Sequence, residues 1–294
     1  MLLNEYRKQI EQSLKIAITQ MGEKNRLRDA CEYTLTCGGK RIRPLIVLLI
    51  AEALGQRQDV LPVALSVEFF HTASLIADDL PCMDNDDFRR SRPSLHKEFG
   101  ENIAILASYT LIAAGYEGIY KNTEIMKKDP LFVEKANEAL FLSLGAATRC
   151  AGIQGATNGQ FLDLFPPDAN LETIHKIIYQ KTVTLFEISF VLGWLFGGGA
   201  PSSIQSLKDC AYHLGMAFQI ADDLDDDIQD ASTKNITNIV RVWGREKSKF
   251  LLKKEILLFR ESLEGLGLWT PTFQELYFFL FSSAIDKISV KGTF

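Results

Sequence analysis

Apolar residues recur at helical spacing along almost the whole chain. Near its start, Leu3, Ile10, Leu14, Ala17, Ile18 and Met21 trace one stripe, interrupted by Glu5, Arg7, Lys8 and Glu11. That is the repeat of an amphipathic helix, not the unbroken apolar centre of a secretory signal. Pro44–Leu54 and Leu185–Phe196 are apolar around most of the helical circumference, the mark of helices buried in an all-α core. The sequence shows no strand-like alternation, nucleotide-type glycine fingerprint, internal repeat or low-complexity tract. Periodicity breaks at Cys37–Arg43, Gly55–Asp59, Pro81–Ser94, Lys127–Pro130, Gly152–Gly159, Pro166–Asn170, Gly197–Ser203, Gln229–Asn235 and Gly265–Pro271. None of these breaks reads as an interdomain linker, so residues 1–294 are expected to form a single all-α domain.

Composition narrows the class. The 294 residues are 47% hydrophobic and 23% charged, enough for a large core in a soluble globular protein. A net charge of −5 argues against nucleic acid as a partner, which calls for a basic stripe. The five cysteines are scattered and odd in number, fitting free thiols in a reducing compartment, so a cytoplasmic location is expected. Thr182–Ala200 comes nearest to a membrane span. Glu187 interrupts it, glycines end it, and it barely reaches the roughly 20 apolar residues a span requires. The expectation is a central bundle helix and no transmembrane segment.

Two acidic runs carry the chemistry. The first is Asp78-Asp79-Leu80-Pro81-Cys82-Met83-Asp84-Asn85-Asp86-Asp87, closed by Arg89 and Arg90; the second is Asp222-Asp223-Leu224-Asp225-Asp226-Asp227. Like charges this dense repel, and a bound cation is the commonest reason to gather them. A solvated acidic surface would explain one run but is a poor account of two. Calcium loops of the EF-hand type need a spacing and a central glycine that are missing. Asp222 and Asp226 are one turn apart and share a face with Gln219. Asp78 and Asp84 are six residues apart, so they can act together only if Pro81 breaks the helix. Regular helix is therefore expected to end or distort around residues 80 to 85.

Basic groups accompany the acidic ones. Gly38-Gly39-Lys40-Arg41-Ile42-Arg43-Pro44 sets three cations at an expected helix start, where anions are favoured. A solvated basic loop is the simpler reading of that stretch alone. His71 and Ser74 share a helix face with Asp78. Arg89, Arg90 and Arg92 either neutralise the aspartates or grip phosphate. Gln160 and Asp163, one turn apart, and Lys181, which opens an apolar helix, are weak signals taken singly.

In their order and spacing these motifs resemble the trans-prenyltransferase family, the polyprenyl diphosphate synthases, across roughly residues 30 to 245. The resemblance implies a single large helical bundle around a deep central cavity, with both acidic runs facing it. It implies that Asp78, Asp79, Asp84, Asp222, Asp223 and Asp226 hold about three Mg²⁺, replaceable by Mn²⁺. Arg89, Lys181 and Lys234 would touch the allylic diphosphate, while Lys40, Arg43, His71 and Arg90 would hold isopentenyl diphosphate. Gln219 would orient the allylic substrate, with Thr182 beside the developing cation. Phe70, Ala73 and Ser74 would form the floor that limits product length to farnesyl or geranylgeranyl diphosphate, with a lean to the latter. A homodimer is the implied assembly. The chain departs from the family pattern at Asn238, at Ser108-Tyr109, in Gly152–Gly159 and in its tail beyond Phe273. A terpene cyclase would not need the Gly38–Pro44 loop, and a non-catalytic regulatory subunit would typically have lost one acidic motif.

Overall fold

The computed structural model describes residues 2–55, 59–229 and 237–289. In chain order the elements are α1 (Leu2–Gln20), α2 (Arg26–Leu35), α3 (Ile42–Ala53), α4 (Leu61–Asp78), β1 (Phe88–Arg89), β2 (Arg92–Pro93), α5 (Leu95–Phe99), α6 (Glu101–Met126), α7 (Val133–Ala151), α8 (Ala156–Leu164) and α9 (Leu171–Ile178). A π-turn (Tyr179–Val183) leads into α10 (Thr184–Phe196), and a 3₁₀ turn (Pro201–Ser203) into α11 (Ile204–Gln229). Then come α12 (Ile239–Trp243), α13 (Arg245–Gly265) and α14 (Pro271–Ser289). The fold class is all-α, as the periodicity predicts.

Contacts gather the chain into two compact units, Met1–Ala147 with Leu192–Gly199, and Thr148–Val191 with Ala200–Phe294. In the first unit α1 buries Leu3, Ile10, Leu14 and Ile18, four residues of its predicted stripe. Every residue from Ile42 to Ala51 of α3 is buried, as its all-round apolar character requires. Helices α4 and α6 pack almost backbone to backbone. A Cβ on Gly118 would lie 2.6 Å from the Pro62 carbonyl oxygen, and one on Gly115 would strike the Phe70 ring at 2.5 Å. Length and composition single out α6, rather than Thr182–Ala200, as the one helix among the described residues able to cross a bilayer. Its outer side carries the exposed residues Ile105, Leu106, Tyr109, Ile112 and Tyr120.

In the second unit α11 and α13 pack along each other, and capping side chains set the local starts. Asn170 accepts from the Thr173 N–H at 2.8 Å to open α9, and Asn238 accepts from the Val240 N–H at 2.9 Å to open α12. Asn238, a departure from the family pattern, is thus a helix cap. Two features escape the periodicity. Helix α8 already begins at Ala156, inside the expected Gly152–Gly159 break. The π-turn is the other: its one-residue shift of phase leaves no polar–apolar boundary to read where the chain that follows is buried on every side.

Candidate active site

Helix α4 ends at Asp78, three residues before Pro81. Proline has no N–H to give to the Ala77 carbonyl. That carbonyl instead accepts from Leu80 at 3.2 Å, and the next turns tighten around the Leu80 carbonyl, which accepts from Met83 and Asn85. The Asp84 N–H then reaches the Asp78 carbonyl at 2.9 Å. The helix therefore gives way as expected, and Asp84 returns to the end of α4. Asp78 is half-buried and Asp84 exposed, whereas Asp79 is buried.

Asp79 is committed to Arg89. The Arg89 Nε donates to Asp79 Oδ1 at 3.0 Å, and its Nη2 donates both to Asp79 and to Asp86, the latter at 3.0 Å. Burial pushes the Asp79 carboxyl up from its ordinary value, against the pull of the Arg89 hydrogen bonds. Arg89 is presented by a two-residue hairpin whose loop residues Arg90 and Ser91 have φ of 52° and 62°. Positive φ at both positions is the conformation that matches strand twist, though L-residues adopt it at some strain. It throws Arg90 back onto the Gly38–Pro44 loop, where its guanidinium donates to the Gly38 carbonyl. A Cβ on Gly39 would lie 2.6 Å from that guanidinium. Only glycine leaves room for this contact.

The three loop cations divide. Arg41, at φ 52°, turns inward and is 3% exposed. It pairs with buried Glu68, donates to Glu11 at 2.6 Å and binds the Leu35 carbonyl at 2.5 Å. Arg41 is thus a core residue and not part of an anion site. Lys40 is exposed, and Arg43 Nη1 lies 3.4 Å from His71 Nε2. His71 Nδ1 is buried without a hydrogen-bond partner. Burial first, and then Arg43, Arg90, Arg41 and Arg89, hold the imidazole well below its ordinary value, so it is neutral at pH 7. The Arg92 guanidinium lies 4.0 Å from the centroid of the Tyr33 ring, and Arg92 lines a small pocket together with Asp79, Arg89 and Arg90.

The floor residues separate in the same way. Phe70 and Ala73 are buried toward α6. The Phe70 ring meets Tyr116 edge-on with centroids 5.1 Å apart, and Ser108 Oγ donates to the Ala73 carbonyl at 3.0 Å. Ser74, one turn before Asp78, is only half-buried. A separate cavity of about 220 Å³, lined among others by Ile16, Pro62, Leu65 and Phe69, lies on the side of α4 opposite Asp78.

In the second unit Asp222 is half-buried and Asp226 exposed on α11. Asp223 is turned inward: Gln219 Nε2 donates to its Oδ1 and the Ile239 N–H to its Oδ2, each at 2.9 Å. Burial, joined by Asp226 and Asp163, pushes its carboxyl up to about 6 against those two hydrogen bonds. Gln219 Oε1 in turn accepts from Thr182 Oγ1 at 2.9 Å. Lys181 Nζ is 2.6 Å from Asp163 Oδ2, and Thr237 Oγ1 donates to Asp163 Oδ1 at 2.7 Å. Asp163, a weak signal in the sequence, thus anchors Lys181. Lys234 lies outside the described residues.

Among the described residues no three His, Cys, Asp or Glu side chains converge as a metal cage. Mg²⁺ does not need one, because it commonly takes one or two carboxylates and completes its shell with water and phosphate oxygens. Asp78 with Asp84 is such a donor pair, and Asp222 with Asp226 is another, so the residues fit a hard divalent cation.

Residues 24–238 match the family model described as polyprenyl synthetase. Geranylgeranyl pyrophosphate synthase 7 of Arabidopsis thaliana, a chloroplastic protein, is 34% identical over 272 residues, 87% of this chain and 75% of that one. The crystal structure of a geranyltransferase from Legionella pneumophila superposes with a TM-score of 0.81 at 28% identity, covering 95% of each chain. A geranyltranstransferase from Thermotoga maritima gives 0.75 at 29% identity, over 97% of this chain and all of that one. With the two acidic runs, the glycine–arginine loop and an all-α architecture already in place, these matches establish that the chain belongs to the polyprenyl synthetase family and is a prenyltransferase.

Proposed function

We propose that the chain is a short-chain prenyl diphosphate synthase that joins isopentenyl diphosphate to an allylic diphosphate (dimethylallyl, geranyl or farnesyl) in the presence of Mg²⁺. Farnesyl or geranylgeranyl diphosphate is the product and diphosphate is released. The observation that carries this reading is that α4 bears two kinds of site on one face. The carboxylates of Asp78 and Asp84 stand at its end, and the His71–Arg43 cationic pocket stands two turns below. A terpene cyclase ionises one diphosphate and would not need that second, cationic pocket.

In this reading Asp78 with Asp84, and Asp222 with Asp226, would hold Mg²⁺, which when bound would offset the charge that builds on the departing diphosphate. Arg89 and Lys181 touch the same diphosphate, each aimed by a carboxylate, Asp79 and Asp163 respectively. Lys234 is proposed as a further contact. Asp79 and Asp223 serve the two metal walls chiefly by orienting Arg89 and Gln219. Lys40, Arg43, His71 and Arg90 hold isopentenyl diphosphate, with His71 neutral and accepting from Arg43. The allylic C–O bond breaks with its electron pair leaving on diphosphate. The double bond of isopentenyl diphosphate then attacks the allylic carbon, and a proton is lost to the released diphosphate. Thr182 and Gln219 face the developing cation. A second copy of the chain is proposed to cover the exposed apolar side of α6.

The test is incubation of the pure protein with Mg²⁺, radiolabelled isopentenyl diphosphate and each allylic primer in turn, followed by chromatography. Elongated products of fifteen or twenty carbons support the reading; folded protein that elongates no primer overturns it.

A further inference from the structure

The π-turn Tyr179–Val183 carries Lys181 and Thr182. An extra residue in a helical turn weakens its hydrogen bonding, so such a turn persists where its surroundings hold it. Two glycines admit the neighbours that do so. A Cβ on Gly159 would lie 2.3 Å from the Lys181 nitrogen, and one on Gly215 would lie 2.8 Å from the Val183 Cα. Helices α8 and α11 therefore close on the turn at its backbone. Asn158 Nδ2 adds a hydrogen bond to Gln180 Oε1 at 2.8 Å.

A buried ionic cluster spans the two ends of the turn. Glu187, one turn beyond Val183, is 1% exposed within an apolar helix. Arg149, in the last turn of α7, forms an ion pair with it. Lys208 Nζ of α11 stands 3.5 Å from the same carboxylate oxygen. The Arg149 guanidinium also faces the side chain of Tyr179, the residue that opens the turn, closely enough to act on it electrostatically. A buried ion pair is a poor way to stabilise a core, because well-packed apolar residues generally serve as well or better. A guanidinium fork that reaches two partners in fixed geometry is a good way to hold a register.

We propose that Arg149 is a positioning residue: by pairing with Glu187 beyond the π-turn while facing Tyr179 at its first residue, it fixes the winding that aims Lys181 and Thr182 at the allylic substrate. Lys208 neutralises Glu187 from the other side. This inference rests on the synthase reading for what the turn is aimed at, but not for the tie itself.

Two conservative variants test it. Arg149→Lys keeps a cation beside Glu187 but loses the planar fork, and Tyr179→Phe removes only the hydroxyl. Hydrogen–deuterium exchange of the Gln180–Thr184 amides should speed up by about tenfold in each, with the rest of the chain unchanged. Steady-state kcat should fall about tenfold while the KM for isopentenyl diphosphate stays within about twofold, because Lys40, Arg43 and His71 are untouched. The double variant should lose no more than the worse single one, since both cut the same tie. Unchanged exchange in residues 180–184 overturns the proposal. So does faster exchange with kcat near the wild-type value, or a uniform rise in exchange along the whole chain. If the wild-type protein forms no product, the synthase reading fails, and the exchange data still decide whether Arg149 holds the turn.

Discussion

The Asp84 N–H donates to the Asp78 carbonyl at 2.9 Å. A continuing helix would have offered that carbonyl to residue 82 and carried Asp84 away around the axis. Pro81 prevents this, because it can neither donate to the Ala77 carbonyl nor fit its ring beside it. Pro81→Ala restores the missing donor and lets α4 run on. The expected result is a loss of about 10–100-fold in activity and in Mg²⁺ dependence, the usual cost of misplacing ligands through their support. Circular dichroism should stay helical, and an unchanged Mg²⁺ titration would show that the fold-back does not serve metal binding.

Product length should respond to Ser74 more than to Ala73. Ser74 is half-buried on the Asp78 side of α4, whereas Ala73 is 2% exposed and sealed against α6 by Ser108. Ser74→Phe places bulk below the aspartates and should shorten the product by one isoprene unit, read by chromatography. Ala73→Phe instead overpacks the α4–α6 contact and should cost about 1–3 kcal/mol in urea unfolding. A shortened product from Ala73→Phe at full stability would move the floor back to that residue.

Arg41 and Arg43 stand two residues apart and should fail in opposite ways. Removing the carboxylate in Glu68→Ala leaves buried Arg41 with half-exposed Glu11 as an ion-pair partner. A stability loss of about 3–5 kcal/mol is expected, with the KM for isopentenyl diphosphate unchanged in the protein that remains folded. Arg43→Ala should raise that KM by about tenfold, the loss of one charge-assisted hydrogen bond, at little cost in stability. A KM effect from Glu68→Ala would return Arg41 to the anion site.

How much of this the sequence could tell depended on whether a feature leaves a periodic or compositional trace. The helices, the break at Pro81 and the paired carboxylates did, because apolar spacing and proline act locally. Arg41 could not be told from Arg43, because its direction is set by a backbone at φ 52° and by Glu68, 27 residues away. Asp79 and Asp223 read as metal ligands like their neighbours. In the fold their carboxylates also accept from Arg89 and from Gln219 and the Ile239 amide, partners that only tertiary packing selects. The π-turn was invisible because a segment buried on every side has no apolar–polar boundary against which its shift of phase could register.

His71 gives the last prediction. Its Nε2 lies 3.4 Å from Arg43, its Nδ1 is sealed without a partner, and burial together with the surrounding arginines holds its pKa well below 6.5. In the unfolded chain the same histidine titrates near its ordinary value. Below that value the unfolded state binds more protons than the folded one, so stability is full above pH ~6.5 and is lost as pH falls toward the folded pKa. One proton sets a limiting slope of about 1.4 kcal/mol per pH unit. His71→Gln keeps an acceptor for Arg43 but cannot titrate. Its unfolding free energy, measured by urea between about pH 5 and 6.5, should therefore flatten by up to that slope relative to wild type. A diphosphate bound among these arginines would offset their charge and raise the histidine's pKa. Binding of isopentenyl diphosphate below pH ~6.5 should then take up protons in the wild type and fewer in His71→Gln. Calorimetry in two buffers of different ionisation enthalpy reads that uptake directly, and equal values for the two proteins would place the diphosphate elsewhere.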